Sequence, residues 1–168
     1  MKEVVYNYDN IKENEISDTI KRVKIMLINS EEEVLLAFSS NSYHFIGGHV
    51  EEGESLEEAL NREVLEETGI TLTGETLTPF YKMTKICKDY PKKGVNNSYE
   101  YYYYKIETDK KPDLELTKYT DSEKEGNFEL RYVKLDELEK VLKDSVSLNK
   151  KNEVIVNEML EVLDIYNS

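Results

Sequence analysis

The order of elements predicts an α+β or α/β sandwich: strand-like segments, one strong helix, more strands and then helices, all within 168 residues. Two observations carry that reading. Apolar runs rich in Val, Ile and Leu mark the strands. A capped helical pattern with glycines on both sides interrupts them. The length suits a single domain over residues 1–168 with its own core. Hydrophobic residues make up 39% and charged residues 34%, a globular rather than a disordered balance.

Lys21 to Ile28 alternates and predicts a strand. Asn29-Ser30 followed by acids predicts a turn, and Val34 to Phe38 a second strand that completes a hairpin. Tyr43 to Ile46 is short and apolar and ends at Gly47-Gly48. A helix is expected from about Ser55 to Thr68. Ser55 with Glu58 three residues on forms a capping box, and Gly69 stands where a C-terminal cap belongs. Strand-like segments follow over Thr71 to Lys88 and Tyr99 to Ile106, parted by the turn-rich Asp89 to Ser98. Asp109 to Gly126 is polar and reads as a loop, and Phe128 to Leu135 as a strand. Asp136 to Leu142 and Glu153 to Tyr166 have helical spacing. Apolar positions near Val154 to Ile165 either cover the core or meet a second copy in a homodimer, and core packing is the default.

The formal net charge of −13 sets the surface against phosphate backbones, so no nucleic-acid polymer is expected as a partner. A small anionic substrate stays open, because a bound divalent metal reverses the local field. The one cysteine, Cys87, cannot form an intrachain disulfide, which fits a reducing, cytoplasmic setting. It reads as a small buried apolar residue in a strand. Met1 to Asn10 carries acids and no apolar run, unlike a signal peptide. No stretch has the apolar length to cross a bilayer, so no membrane partner is expected.

The helix breaks the usual burial rule. At about 100° per residue, Leu56, Ala59, Leu60 and Val64 define its apolar face. Glu63 and Glu67 project onto the middle of that face, and Glu66 lies at its edge. Acidic runs are by default solvated faces, here salt-bridged by Arg62. That default explains neither the interruption of the apolar stripe nor the flanking glycines. A buried carboxylate without a partner costs several kcal/mol or takes up a proton. A hard divalent cation would resolve both the burial and the mutual repulsion. Before the helix, Gly47-Gly48-His49-Val50-Glu51-Glu52-Gly53-Glu54 allows tight backbone approach to a metal or phosphate, and Glu54 can swing toward the same cluster.

These residues resemble a known signature. Gly48, five residues, Glu54, seven residues, then Arg62-Glu63-Val64-Leu65-Glu66-Glu67-Thr68-Gly69-Ile70 is similar to the complete Nudix box, here residues 48–70. The resemblance implies an α/β/α sandwich, a Nudix-like fold with a mixed sheet and flanking helices. It implies that Glu63, Glu66 and Glu67 are metal-ligand carboxylates, with Glu54 assisting and the Gly48 carbonyl as a further ligand. It implies that Arg62 orients a glutamate through an ion pair. Ile46 stands where many members have a proline before the paired glycines, a change expected to affect loop rigidity rather than chemistry.

The activity implied is hydrolysis of a nucleoside diphosphate linked to another moiety, with Mg²⁺ as cofactor and Mn²⁺ as a substitute. Water attacks phosphorus and a phosphate ester leaves. Metal coordination lowers the pKa of that water, and a carboxylate takes its proton. Glu66 or Glu67 is the candidate base, with Glu123, Glu125 and Glu129 as downstream alternatives that are by default surface residues. The competing reading is a non-catalytic nucleotide-binding module for sensing or assembly, disfavoured because the metal glutamates are all kept. Isomerisation of a prenyl diphosphate is a third, weaker reading.

Substrate clues are thinner. Tyr101 and Tyr103 share one face of a strand and Tyr102 and Tyr104 the other. One face could stack a base, although strand packing is preferred. Lys82, Lys85, Lys88, Lys92 and Lys93 could reach phosphates but read first as solvated lysines. His44 precedes the glycine loop, and His49 lies inside it, where a loop hydrogen bond is the simpler role.

Overall fold

The computed structural model describes residues 1–73 and 76–168. Its elements in chain order are β1 (Lys2–Tyr6), β2 (Asp18–Ile28), β3 (Glu33–Ser39), β4 (Ser42–Phe45), α1 (Leu56–Thr68), β5 (Tyr81–Cys87) and β6 (Asn97–Glu107), followed by α2 (Asp121–Glu125), β7 (Glu129–Lys134), α3 (Leu135–Asp144) and α4 (Asn152–Asn167). The strands join in one mixed seven-stranded sheet, ordered β1-β5-β6-β2-β3-β4 with β7 on β3. The β1·β5 and β2·β6 pairs are parallel and the others antiparallel.

Strand periodicity sorts the core into two layers. Val23, Ile25 and Leu27 of β2 turn toward Ala59, Leu60 and Val64 of α1. Met26 and Ile28 turn the other way, toward Leu138 and Leu142 of α3 and Val156, Met159 and Val162 of α4. A sheet covered on both faces makes the expected α/β/α sandwich. Ser55 and Glu58 close their capping box, and Gly69 ends α1 at a φ of 73°.

Three expectations need correction. The strand expected over 71–88 forms only at Tyr81–Cys87; residues 74 and 75 lie outside the described residues. The loop expected over Asp109–Gly126 holds a one-turn 3-10 segment at Leu114–Leu116 and the short helix α2, whose Thr120 and Glu123 make a capping box of their own. Cys87 ends its strand half-buried rather than buried. β1 was unforeseen: Val4 packs on the core, but Val5 is 61% exposed, so the segment lacks an apolar run. No helix among the described residues is long and apolar enough to cross a membrane.

The site's position follows from one feature of the sheet. β3 meets β2 only at Leu35 and Val34, then pairs with β4 from Leu36 onward. Further back along β2 its edge is therefore free, and the chain after β4 returns to fill it. Val23 N–H donates to the Gly48 carbonyl at 3.0 Å, Ile25 N–H to that of Ile46 at 2.9 Å, and Val50 N–H to that of Lys21 at 2.9 Å. The glycine loop is thus stitched to β2 where the sheet splits.

Candidate active site

Gly47 sits at a φ of 127°, and a side chain there would strike the Val23 backbone carbonyl. At Gly48 the constraint is softer: a Cβ would lie 2.5 Å from Glu63 Oε1, the far end of a flexible side chain that would have to move aside. The loop therefore presses against α1, and the carboxylate of Glu63 occupies the space that the missing side chain leaves.

Arg62 is the hub of the helix. Its Nε–H donates to Glu54 Oε1 at 2.8 Å, and its other nitrogens reach Glu54 Oε2 at 3.0 Å, Glu63 Oε1 at 2.8 Å and Glu66 Oε2 at 3.3 Å. The same guanidinium also donates to the His49 carbonyl at 2.9 Å. One planar cation thus ties together the loop, Glu54 and two helix glutamates. That exceeds the single ion pair expected from the sequence. Glu54 also accepts from Glu51 N–H at 2.9 Å, and the Arg62 guanidinium holds its carboxyl below the ordinary range.

Glu67 is the buried member, only 8% exposed. Its Oε2 accepts from Gly47 N–H at 2.9 Å, and burial pushes its carboxyl up to about 8. Burial also raises Glu63, against the opposing pull of Arg62. These groups line a cavity of about 620 Å³ with Gly47, Gly48, Arg62, Glu66 and Glu123.

Hard oxygen donors suit a divalent cation, whose charge would favour the ionised form that burial disfavours at Glu67. The Gly48 carbonyl keeps a second lone pair beyond its bond to Val23. Among the described residues, however, no three His, Cys, Asp or Glu side chains converge closely enough to hold an ion as they stand. The physical reason is the arginine, which draws Glu54, Glu63 and Glu66 toward itself while Glu67 turns to Gly47.

Of the downstream acids, Glu123 lines the cavity, whereas Glu125 and Glu129 do not, and Glu129 is paired with Arg131. Lys82 and Lys85 are spent on Glu100 at 2.8 Å and Glu158 at 2.5 Å. Tyr101 and Tyr103 pack toward α4 and Tyr102 and Tyr104 toward α1, so the preferred packing reading describes them. His44 and His49 both line the cavity. Burial lowers His44 to about 4 and lowers His49 as well, so both are neutral near pH 7.

Two site residues were missed. Arg22 and Lys24 alternate with Val23 and Ile25, so both project from one face of β2 into the cavity. Lys24 Nζ donates to the Phe45 carbonyl at 3.2 Å and to the Gly47 carbonyl, bracing the glycine turn, and burial lowers its pKa. The available signal was Arg22 and Lys24 on one face of a strand whose next two residues on that face, Met26 and Ile28, are apolar core.

Residues 18–152 match the family model described as NUDIX domain. A comparison with curated protein sequences found no match. Among solved structures, the chain is similar to a MutT protein from Bacillus halodurans, at 22% identity and a TM-score of 0.52, over 77% of this chain and 79% of that one. An Ap4A hydrolase from C. elegans, solved as a binary complex, is similar at 20% identity and a TM-score of 0.52, over 88% of this chain and 95% of that one. A MutT NUDIX hydrolase from Burkholderia pseudomallei is similar at 20% identity and a TM-score of 0.52, over 70% of this chain and 84% of that one. At these identities the likeness is one of fold.

Proposed function

The chain belongs to the NUDIX domain family, and from that premise, which makes it a Nudix-type pyrophosphohydrolase, we propose that it cleaves the diphosphate linkage of a nucleoside diphosphate derivative by attack of water on phosphorus. We take residues 1–168 as one Nudix domain with its box at 48–70. The observation that carries the reading is Glu67: a carboxyl buried beside Glu63, raised to about 8, facing a cavity with one backbone N–H as its hydrogen-bond partner. A purely structural residue there would be apolar, or fully partnered.

Nudix hydrolases generally use divalent metal ions. Mg²⁺ is the proposed ion, with Mn²⁺ as a substitute, held by Glu63, Glu66 and Glu67 with the Gly48 carbonyl and Glu54 assisting. Such an ion, when bound, neutralises the diphosphate and lowers the pKa of water. The remaining work falls to the chain. Arg62 fixes the loop against Glu54, Glu63 and Glu66. Lys24 holds the Gly47 turn, whose N–H in turn orients Glu67. Glu66 is the proposed general base. Its side chain is 33% exposed and its Oε2 lies at 3.3 Å from Arg62, so a carboxylate oxygen can turn to the cavity and take the proton of the attacking water. Glu67 and Glu123 are the next candidates.

The test is turnover of a panel of nucleotide diphosphate derivatives with Mg²⁺, following phosphate products with a coupled phosphatase. Turnover that needs both the metal and an intact Glu66, lost in Glu66→Gln, supports the proposal. Binding of panel members without any turnover would overturn it in favour of a sensing module.

A further inference from the structure

The two cations that β2 sends into the cavity are not equivalent. Lys24 is committed, its ammonium bonded to the carbonyls of Phe45 and Gly47. Arg22, two residues earlier on the same face, is not. Its Nε is buried and has no hydrogen-bond partner, and among the described residues no acid pairs with it. A guanidinium cannot shed its proton to escape that cost. A buried donor left without an acceptor is costly, the more so when it belongs to a charged group. Such a group is kept where something else supplies the acceptor.

Its surroundings hold it ready. The backbone is pinned on both sides of Arg22, by Val50 N–H to the Lys21 carbonyl and Val23 N–H to the Gly48 carbonyl. The guanidinium lies 6.0 Å from the centre of the Tyr101 ring. Tyr101 stacks on Tyr103 at 6.5 Å and 18°, and the Tyr103 hydroxyl is tied to Glu158 at 2.7 Å. The arginine therefore rests on an ordered aromatic shelf. Glu63, Glu66 and Glu67 enter the same cavity from α1, on the opposite face of the sheet. A planar cation with free donors suits a phosphate, which it can grip with two parallel hydrogen bonds.

We propose that Arg22 grips the phosphate of the substrate that is not attacked, on the side of the cavity away from the helix glutamates. The assignment rests on the diphosphate hydrolase reading above. It separates two tasks: the carboxylate wall serves the reacting phosphorus, and Arg22 sets where the rest of the phosphate chain lies. Arg22 then contributes to binding more than to the chemical step.

The experiment is calorimetric titration of the protein with imidodiphosphate, a diphosphate that cannot be hydrolysed at its bridge, in Mg²⁺ and again in EDTA. Wild type, Arg22→Gln, Arg22→Lys and Glu66→Gln are compared, with Tm measured for each. Arg22→Gln is expected to weaken binding about tenfold or more in Mg²⁺. Arg22→Lys should fall between, since it keeps the charge and loses the fork. Both should change Tm little, because the Nε–H has no hydrogen-bond partner to lose and the Tyr101 ring, at 6.0 Å, is at the outer edge of cation–π range; an arginine serving only the fold would lower it. Equal affinity of wild type and Arg22→Gln overturns the proposal, as does the absence of binding by either. Glu66→Gln should lose only the Mg²⁺-dependent part of the affinity. Binding that depends on Arg22 with no turnover on the nucleotide panel would sink the hydrolase reading and leave the anion site standing. Turnover with no dependence on Arg22 would do the reverse.

Discussion

Two helices, one on each face of the sheet, bring glutamates inward, and they treat them in opposite ways. On α4, Glu158 accepts from the Tyr103 hydroxyl at 2.7 Å and pairs with Lys85 at 2.5 Å. Glu161 accepts from the Tyr6 hydroxyl at 2.7 Å and from that of Tyr81. Glu158 thus has a donor on each oxygen and Glu161 two on one, and the tyrosines bear the consequence: Tyr6 is pushed up to about 12, chiefly by its bond to Glu161. On α1 the donors run short. Glu63 and Glu66 share one arginine with Glu54, and Glu67 has a single backbone N–H. A saturated acid is part of the scaffold; an undersupplied one beside a cavity is an invitation to a cation.

The comparison breaks most sharply if matched substitutions behave alike. Glu67→Gln is expected to cut turnover by about 10²–10⁴-fold, the range for losing a group that acts on the reacting centre. Glu158→Gln should leave turnover unchanged and lower stability by about 1–2 kcal/mol, since an ion pair with Lys85 is lost. Initial-rate assays and thermal melts on both variants decide it. Equal loss of turnover in the two would remove the distinction.

The pH dependence of metal-free stability separates the helices next. The folded carboxyl of Glu67 stands above its ordinary value of 4.5, at about 8, because burial disfavours the charge. The sign follows: the unfolded chain ionises first, so the Glu67 contribution is intact below 4.5 and is lost as pH rises through about 8. In EDTA, Tm should fall over that range, and Glu67→Gln should flatten the fall. Mg²⁺ should restore more stability near pH 8 than near pH 6 (both approximate), because binding needs the carboxylates deprotonated. Melts that respond equally to Mg²⁺ at both pH values would count against a metal held by this cluster.

Much of this was legible from the chain. The capping box, the Gly69 cap and the acids interrupting the Leu56–Val64 stripe all rest on local spacing, and local spacing survives folding. The fan of bonds from Arg62 was only half visible, because Glu54 and the His49 carbonyl reach it through the path of a loop. Arg22 and Lys24 were missed because their place depends on β3 leaving β2 early and the glycine loop filling the gap. The acceptors of Lys24 are backbone carbonyls, which carry no residue identity for a sequence to display. The α4 network was hidden for a related reason: its donors, Tyr6, Tyr81 and Tyr103, come from three strands far apart in the chain.

A smaller effect sharpens the scaffold side of the comparison. Tyr103→Phe removes the one hydroxyl that Glu158 Oε1 receives and should cost about 1–2 kcal/mol in a urea melt. Tyr6→Phe should cost less than about 1 kcal/mol, because Glu161 Oε1 keeps the Tyr81 hydroxyl. The pair tests redundancy rather than contact number: the two tyrosines make bonds of the same length, and only one of the acids has a second hydroxyl in reserve. If Tyr6→Phe proves as costly as Tyr103→Phe, the two hydroxyls on Glu161 act as one coupled unit, and α4 is less forgiving than its doubled donors suggest.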